Sequence, residues 1–204
     1  MNPDVYTGGF VQTNAYLLTG PQGALLIDAP AGVAAWLKAK GITPVAALLT
    51  HQHYDHVEDA AALQQIGIPL YAFAPHSKDL TLESVARSWG MPISVVPYSI
   101  DHVLDLTQPF EIAGRSFQLA HVPGHSIDSV TFHLPDMSLV FSGDTLFAES
   151  IGRSDLPGGS GLQLVQGIEK HLLSLPDSTK VYPGHGPFTT IGHERAHNPY
   201  LEEG

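Results

Sequence analysis

A five-residue apolar run, Val45-Ala46-Ala47-Leu48-Leu49, passes without a break into Thr50-His51-Gln52-His53-Tyr54-Asp55-His56. The run reads as a β-strand buried on both faces. Four side chains able to bind a cation therefore leave its carboxyl end within six residues, which is where open α/β sheets keep their sites. Side chains alternate in extended chain, so His51 and His53 point the same way and can hold one ion. One turn later, Asp55 and His56 depart on the other side and can reach a second. A polar loop rich in histidine is the plain alternative, and four ligands at this spacing make it a poor one.

Three more potential ligands follow predicted strands, each beside a glycine that lets backbones approach closely. They are His125 in Pro123-Gly124-His125-Ser126, Asp144 in Ser142-Gly143-Asp144-Thr145, and His185 in Pro183-Gly184-His185-Gly186. One Pro-Gly-His alone is more often a turn than a ligand. The chain has no cysteine, so imidazole and carboxylate must hold any transition metal. Twenty acids against nine bases give a formal charge of −11 with no basic cluster, which argues against nucleic acid and for a small-molecule substrate. No apolar run approaches the roughly 18 residues of a membrane span. The start, Met1-Asn2-Pro3-Asp4, lacks a basic segment leading into an apolar one. The expectation is a cytoplasmic protein with no membrane partner.

The length of 204 residues suits one domain, 1–204. Strands are expected over Val5 to Val11, Asn14 to Leu18 and Ala24 to Ile27, then a helix over Ala31 to Lys40 before the buried strand. Helices over Glu58 to Ile66 and Leu80 to Trp89 flank a strand at Leu70 to Phe73. A second, mostly antiparallel set follows: His102 to Leu106, Phe110 to Ile112, Ser116 to His121, Ser129 to Leu134 and Ser138 to Phe141. A helix over Leu162 to Leu173, with a core stripe of Leu162, Val165, Ile168, Leu172 and Leu173, precedes a strand at Lys180 to Tyr182. A short segment from Ile191 to Leu201 closes the chain. Two halves of strands and helices imply two packed sheets covered outside by helices.

In the order His-x-His-x-Asp-His, then His, Asp and His, the set resembles the metallo-β-lactamase superfamily over essentially the whole chain. The resemblance implies an α+β fold, a four-layer αβ/βα sandwich of two mixed sheets covered by helices, with a dinuclear site between the sheet edges. Carried over residue by residue, metal 1 takes His51, His53 and His125, metal 2 takes Asp55, His56 and His185, and Asp144 bridges them. Two divalent ions, zinc first with iron or manganese also compatible, lower the pKa of a shared water and polarise the carbonyl under attack. Asp55 has an added catalytic role in orienting that water or moving its proton.

Three stretches narrow the resemblance to short hydrolases of the glyoxalase II (hydroxyacylglutathione hydrolase) type, which cleave thioesters such as S-lactoylglutathione. They are Ser142 to Phe147, Ile151 to Gly159, and Thr189 to Arg195 with Asn198-Pro199-Tyr200. The chain ends soon after Tyr200, without the helical domain that carries much of the glutathione contact in full-length glyoxalase II. A thioester is the expected substrate, with a glutathione thioester one candidate. Persulfide dioxygenases are also similar and hold one iron at positions matching His51, His125 and Asp144. Hydrolysis of a lactone or another ester is a further alternative.

Among the remaining residues, Arg153 either meets a substrate carboxylate or pairs with Asp155, the second being favoured. Tyr54 lines the pocket or packs beneath its loop. His121 reads as a structural histidine at a strand end, and His193 and His197 as surface residues. Asp28, ending the strand Leu26-Ile27-Asp28, resembles the family's supporting aspartate beside the metals.

Overall fold

The computed structural model describes residues 2–201 of the chain. The first half opens as a meander of β1 (Asp4–Gly8), β2 (Thr13–Gly20) and β3 (Gly23–Ile27), paired antiparallel. Helix α1 (Val33–Lys40) crosses to β4 (Ala46–Leu48), which lies parallel to β3. Helices α2 (Tyr54–Val57) and α3 (Ala60–Gln65) lead to β5 (Leu70–Ala72), and α4 (Lys78–Thr81) and α5 (Glu83–Ser88) to β6 (His102–Val103). The strands form one mixed sheet in the order β1-β2-β3-β4-β5-β6.

The second half supplies β7 (Phe110–Ile112), β8 (Arg115–His121), β9 (Val130–Leu134) and β10 (Leu139–Gly143). A small hairpin of β11 (Leu146–Phe147) and β12 (Ser150–Ile151) follows, then α6 (Gly161–His171), β13 (Lys180–Pro183), β14 (Thr189–Thr190) and α7 (Ile191–His197). The sheet order is β14-β13-β10-β9-β8-β7, and only β10 and β13 run parallel.

Strand periodicity builds the layers. In the first sheet Ala15, Leu17, Leu26 and Ala47 face α1 and α3, where Val33, Leu37 and Leu63 are buried. Their neighbours Tyr16, Leu18, Leu25, Ile27 and Leu48 face the second sheet and meet Phe132, Leu134, Phe141 and Tyr182. On the far side Val140 and Val181 pack against Leu164, Ile168 and Leu172 of α6 and Ile191 of α7. Apolar residues on both faces of a strand are what a sheet covered on both sides requires. The result is helix, sheet, sheet, helix, as expected for the αβ/βα sandwich. Among the described residues no helix is long and apolar enough to cross a membrane.

Several expected elements change. The helix expected over Glu58 to Ile66 is α3 and starts only at Ala60, because Asp59 is drawn aside: its N–H donates to Ala29 O at 2.9 Å and its carboxylate accepts the Ala34 N–H at 2.9 Å; α2, an additional turn, precedes it. Asp55 and His56 thus lie inside a helical turn, not before it. The helix over Leu80 to Trp89 breaks at Leu82, whose left-handed backbone (φ 51°) ends α4 and starts α5. The first strand stops at Gly8, where Gly9 (φ 73°) turns the chain, and the strand from His102 is two residues long. In α6, Leu162 is 71% exposed and Leu164 takes its place in the buried stripe.

Candidate metal centre

Every candidate ligand sits just past the carboxyl end of a central strand. His51 and His53 follow β4, His125 follows β8, Asp144 follows β10 and His185 follows β13, while Asp55 and His56 lie on α2. The sandwich brings these ends together. Ligand atoms of His51, His53 and His125 fall within 4.8 Å of one another, as do those of Asp55, His56 and His185, and those of His51, His56 and Asp144. Asp144 spans the first two groups: its Oδ2 is 3.5 Å from His125 Nε2 and 3.3 Å from His185 Nε2, and its Oδ1 is 3.3 Å from His56 Nε2. All seven are buried except His185, which is partly exposed.

The surroundings aim the imidazoles. His125 Nδ1 donates to the Arg153 carbonyl at 2.8 Å, and a carbonyl only accepts, so Nε2 keeps its lone pair. Thr50 donates its hydroxyl proton to Asp28 Oδ2 at 2.8 Å, so the 3.2 Å contact of Thr50 Oγ1 with His51 Nδ1 takes its proton from the ring. His56 Nδ1 is 2.9 Å from Asp28 Oδ2. The inward atoms His51 Nε2, His56 Nε2, His125 Nε2 and Asp144 Oδ1 are buried and make no hydrogen bond. Each unsatisfied group costs about 1–3 kcal/mol, and four in one small volume are hard to sustain unless a cation meets them. The donor set of imidazole and carboxylate fits zinc, iron or manganese.

Charge reinforces this. Burial and the neighbouring imidazolium groups push His51 well below its ordinary pKa, and burial with His125 pushes His53 down to about 3. Burial acts in the same direction on His56, but Asp55, Asp28 and Asp144 prevail and hold it well above the usual range. His185 likewise rises to about 10 against Asp144 and Asp55. Burial would raise the two carboxyls, yet His56 and His185 hold Asp55 at about 2 and Asp144 well below its ordinary value. In the metal-free protein, protons on His56 and His185 thus balance two buried carboxylates.

Sequence reasoning missed the clamp on the last ligand loop. The Asn14 N–H donates to Gly184 O at 2.7 Å, its side-chain amide to Pro183 O and Gly186 O, and Tyr16 OH to Pro183 O. The buried Thr13 donates to Asp55 Oδ2 at 2.7 Å. No local signal marks these residues, since their partners lie 42 to 172 positions away. Asp28, by contrast, stands where expected: buried, with a left-handed backbone (φ 60°), and bonded to Thr50 N, Thr50 Oγ1 and His56. A non-glycine residue held so costs about 1–3 kcal/mol, the kind of strain that collects at working sites. Asparagine tolerates that backbone but removes the charge. Asp28→Asn is therefore expected to lower metal affinity about 10- to 100-fold, as read by titration against a competing chelator, and to lower the melting temperature of the metal-free protein as well, because an amide nitrogen cannot accept from Thr50 Oγ1 and the His56 ring. Unchanged affinity would remove Asp28 from the supporting role.

The cluster forms the floor of a cavity of about 580 Å³. Tyr54 lines it and also packs on Ala86 and Ile93, so both expected roles meet in one ring. Burial pushes its phenol up to about 12. Arg153 lines the mouth but is held by both oxygens of Asp155 (2.7 and 2.8 Å), with its guanidinium over Trp89. His121 donates to or accepts at no ligand; its Nε2 meets Ile127 O and its ring stacks on Phe73. His193 pairs with Glu149 and stacks on His197, away from the cluster. Asn198 bonds Ser150 O and the buried Glu194, bracing the turn after Asp144.

The family model described as Metallo-beta-lactamase superfamily matches residues 8–185. The probable metallo-hydrolase YqgX of Bacillus subtilis (strain 168) is 36% identical, with 95% of this chain and 94% of that protein covered. The hydroxyacylglutathione hydrolase GloC of Haemophilus influenzae (strain ATCC 51907 / DSM 11121 / KW20 / Rd) is 36% identical over 76% of this chain and 74% of its own. Among solved structures, the BLEG-1 B3 metallo-beta-lactamase superposes with a TM-score of 0.86 at 37% identity, covering 98% of this chain and 100% of that one. TTHA1623 in a di-iron-bound form gives 0.83 at 41% identity, covering 97% and 100%.

Proposed function

The chain belongs to the metallo-β-lactamase superfamily and is a metallohydrolase of that superfamily; from this premise we propose that it hydrolyses small thioesters, with S-lactoylglutathione as the reference substrate. The observation that carries the reading is the make-up of the cavity. Apart from the clustered ligands, its only groups able to give up a proton are the Tyr54 phenol, at about 12, and the paired Arg153 guanidinium, among the described residues. Neither protonates a departing amine or alkoxide near neutrality. A thiolate needs no such help, because thiols ionise near pH 8.5. When bound, two divalent cations supply an acidified water and polarise the carbonyl. We assign His51, His53 and His125 to one ion, Asp55, His56 and His185 to the other, and Asp144 to both. Asp55, fixed by the Thr13 hydroxyl, orients the water. Water adds to the thioester carbonyl, the carbon–sulfur bond breaks, and a carboxylic acid and a thiol result.

Protein loaded with zinc, and separately with iron or manganese, is expected to cleave acyl thioesters with kcat/KM on the order of 10⁴ M⁻¹ s⁻¹ or above. A β-lactam such as nitrocefin, which expels an amine, is expected to turn over far more slowly. Inertness toward S-lactoylglutathione and a panel of other thioesters would overturn the proposal. So would one iron per chain with oxygen uptake on glutathione persulfide, the signature of a dioxygenase.

A further inference from the structure

One side of the cavity over the cluster is walled by Leu82, Val85, Ala86, Trp89, Met91 and Leu156. The wall is built by specific features of the chain. Leu82, at the left-handed break that starts α5, lines the cavity together with Val85 and Ala86 of that helix and Trp89 at its end. Trp89 is 53% exposed, with Arg153 over its ring. An indole left half open beside a row of aliphatic side chains is a surface on which an apolar ligand gains by leaving water.

The charged groups point the same way. Glutathione carries two carboxylates and an ammonium group, and binding it calls for cations to meet the carboxylates. Arg153 is the one arginine or lysine among the described lining residues, and its charge is already offset by Asp155, which takes the Nε and Nη2 edge of the guanidinium. The chain's formal charge of −11 adds no attraction for an anion. A thioester arm without charge meets the wall with no unpaired group.

We infer that the substrate carries an apolar arm, a medium-length acyl chain or an aryl group, lodged against Leu82, Val85, Trp89 and Leu156 while its carbonyl lies over the cluster. The inference rests on the thioester reading for the reaction and on the wall alone for the arm.

N-acetylcysteamine thioesters from acetyl to octanoyl test it, because their thiol part is small and neutral. From acetyl to hexanoyl, kcat/KM is expected to rise roughly tenfold or more, through KM, and to exceed the value for S-lactoylglutathione. Val85→Asp and, independently, Trp89→Ala flatten that rise. Binding supplies a second readout: in zinc-loaded Trp36→Phe protein, whose remaining indole is Trp89, hexanoate perturbs the emission at a concentration roughly tenfold below acetate. Thioester cleavage indifferent to chain length, with S-lactoylglutathione the fastest substrate, would overturn the inference and leave the thioesterase reading standing. Length-dependent carboxylate binding without cleavage of any thioester would support the apolar arm and sink the reaction.

Discussion

Adding a single methyl group at Gly184 is expected to disable the centre as thoroughly as deleting a ligand. A Cβ built there would stand 2.0 Å from Asp144 Oδ1 and 2.7 Å from His56 Cε1. Neither neighbour has room to retreat. The Asp144 carboxylate is buried among His56, His125 and His185, and the far side of the His56 ring is bonded to Asp28. The backbone of Gly184 itself is fixed by the Asn14 N–H at its carbonyl and by the bond from its own N–H to Gly143 O at 2.8 Å. The methyl must displace the one carboxylate that faces both ligand groups. A misplacement of about 1 Å at reacting groups costs about 100-fold in rate, and a displaced bridging ligand adds lost metal affinity to that. Gly184→Ala is expected to fold, to bind fewer than two ions by metal analysis, and to retain no more than about 1% of thioester turnover. Normal metal content and turnover would show that Asp144 does not occupy the shared position.

The second large effect concerns protons. His56 and His185 have raised pKa values, so the stability they contribute to the metal-free protein is complete below an unfolded value near 6.5 and is lost as pH rises through their folded values, about 10 for His185 and well above the ordinary range for His56. Asp55 and Asp144 have depressed values, and their contribution holds above about 4 and fades as pH falls through their folded values, about 2 for Asp55 and well below the ordinary range for Asp144. The metal-free cluster is therefore best balanced between about pH 4 and 6.5, and at higher pH it keeps its carboxylates while losing its counter-charge. Metal takes the place of those protons. Binding to the Asp55, His56 and His185 group is expected to release about two protons near pH 7.5, so affinity there should strengthen by about 100-fold per pH unit while both imidazoles remain protonated. Calorimetry in buffers of differing ionisation heat gives the proton count. Saturating zinc should raise Tm by on the order of 10 °C at pH 8.5 and by clearly less at pH 6. Affinity that stays flat between pH 7 and 9 would contradict the charge pattern.

How much of this was visible in the chain depends on how far apart the causes lie. The His51 to His56 segment and the three Gly-His or Gly-Asp turns are local patterns, and the residues they single out do converge. The buried strand around Ala46 to Leu48 and the covered sheets also follow from local hydropathy. What escaped is what distant residues decide. Asp59 delays the start of α3 because its carboxylate takes the Ala34 N–H, and Thr13 and Asn14 acquire roles only once β2 lies against the His185 loop. Two-residue strands such as β11, β12 and β14 are too short to show a period. Of the stripe expected on α6 only Leu162 fell on the wrong side: Ile168 and Leu172 are buried and Val165 and Leu173 pack beside them, while Leu164, one turn before Ile168, takes the first place.

The grip of β2 on the loop around His185 also bears on the order of events during synthesis. Of the seven clustered side chains His185 leaves the ribosome last, and its loop is seated by Asn14 and Tyr16, which leave first. The nascent chain can gather His51, His53 and His125 early, but the second pocket waits until opposite ends of the polypeptide have met. Metal capture there is a report that both sheets have docked, so a chain stalled short of β13 holds at most the three-histidine half of the centre.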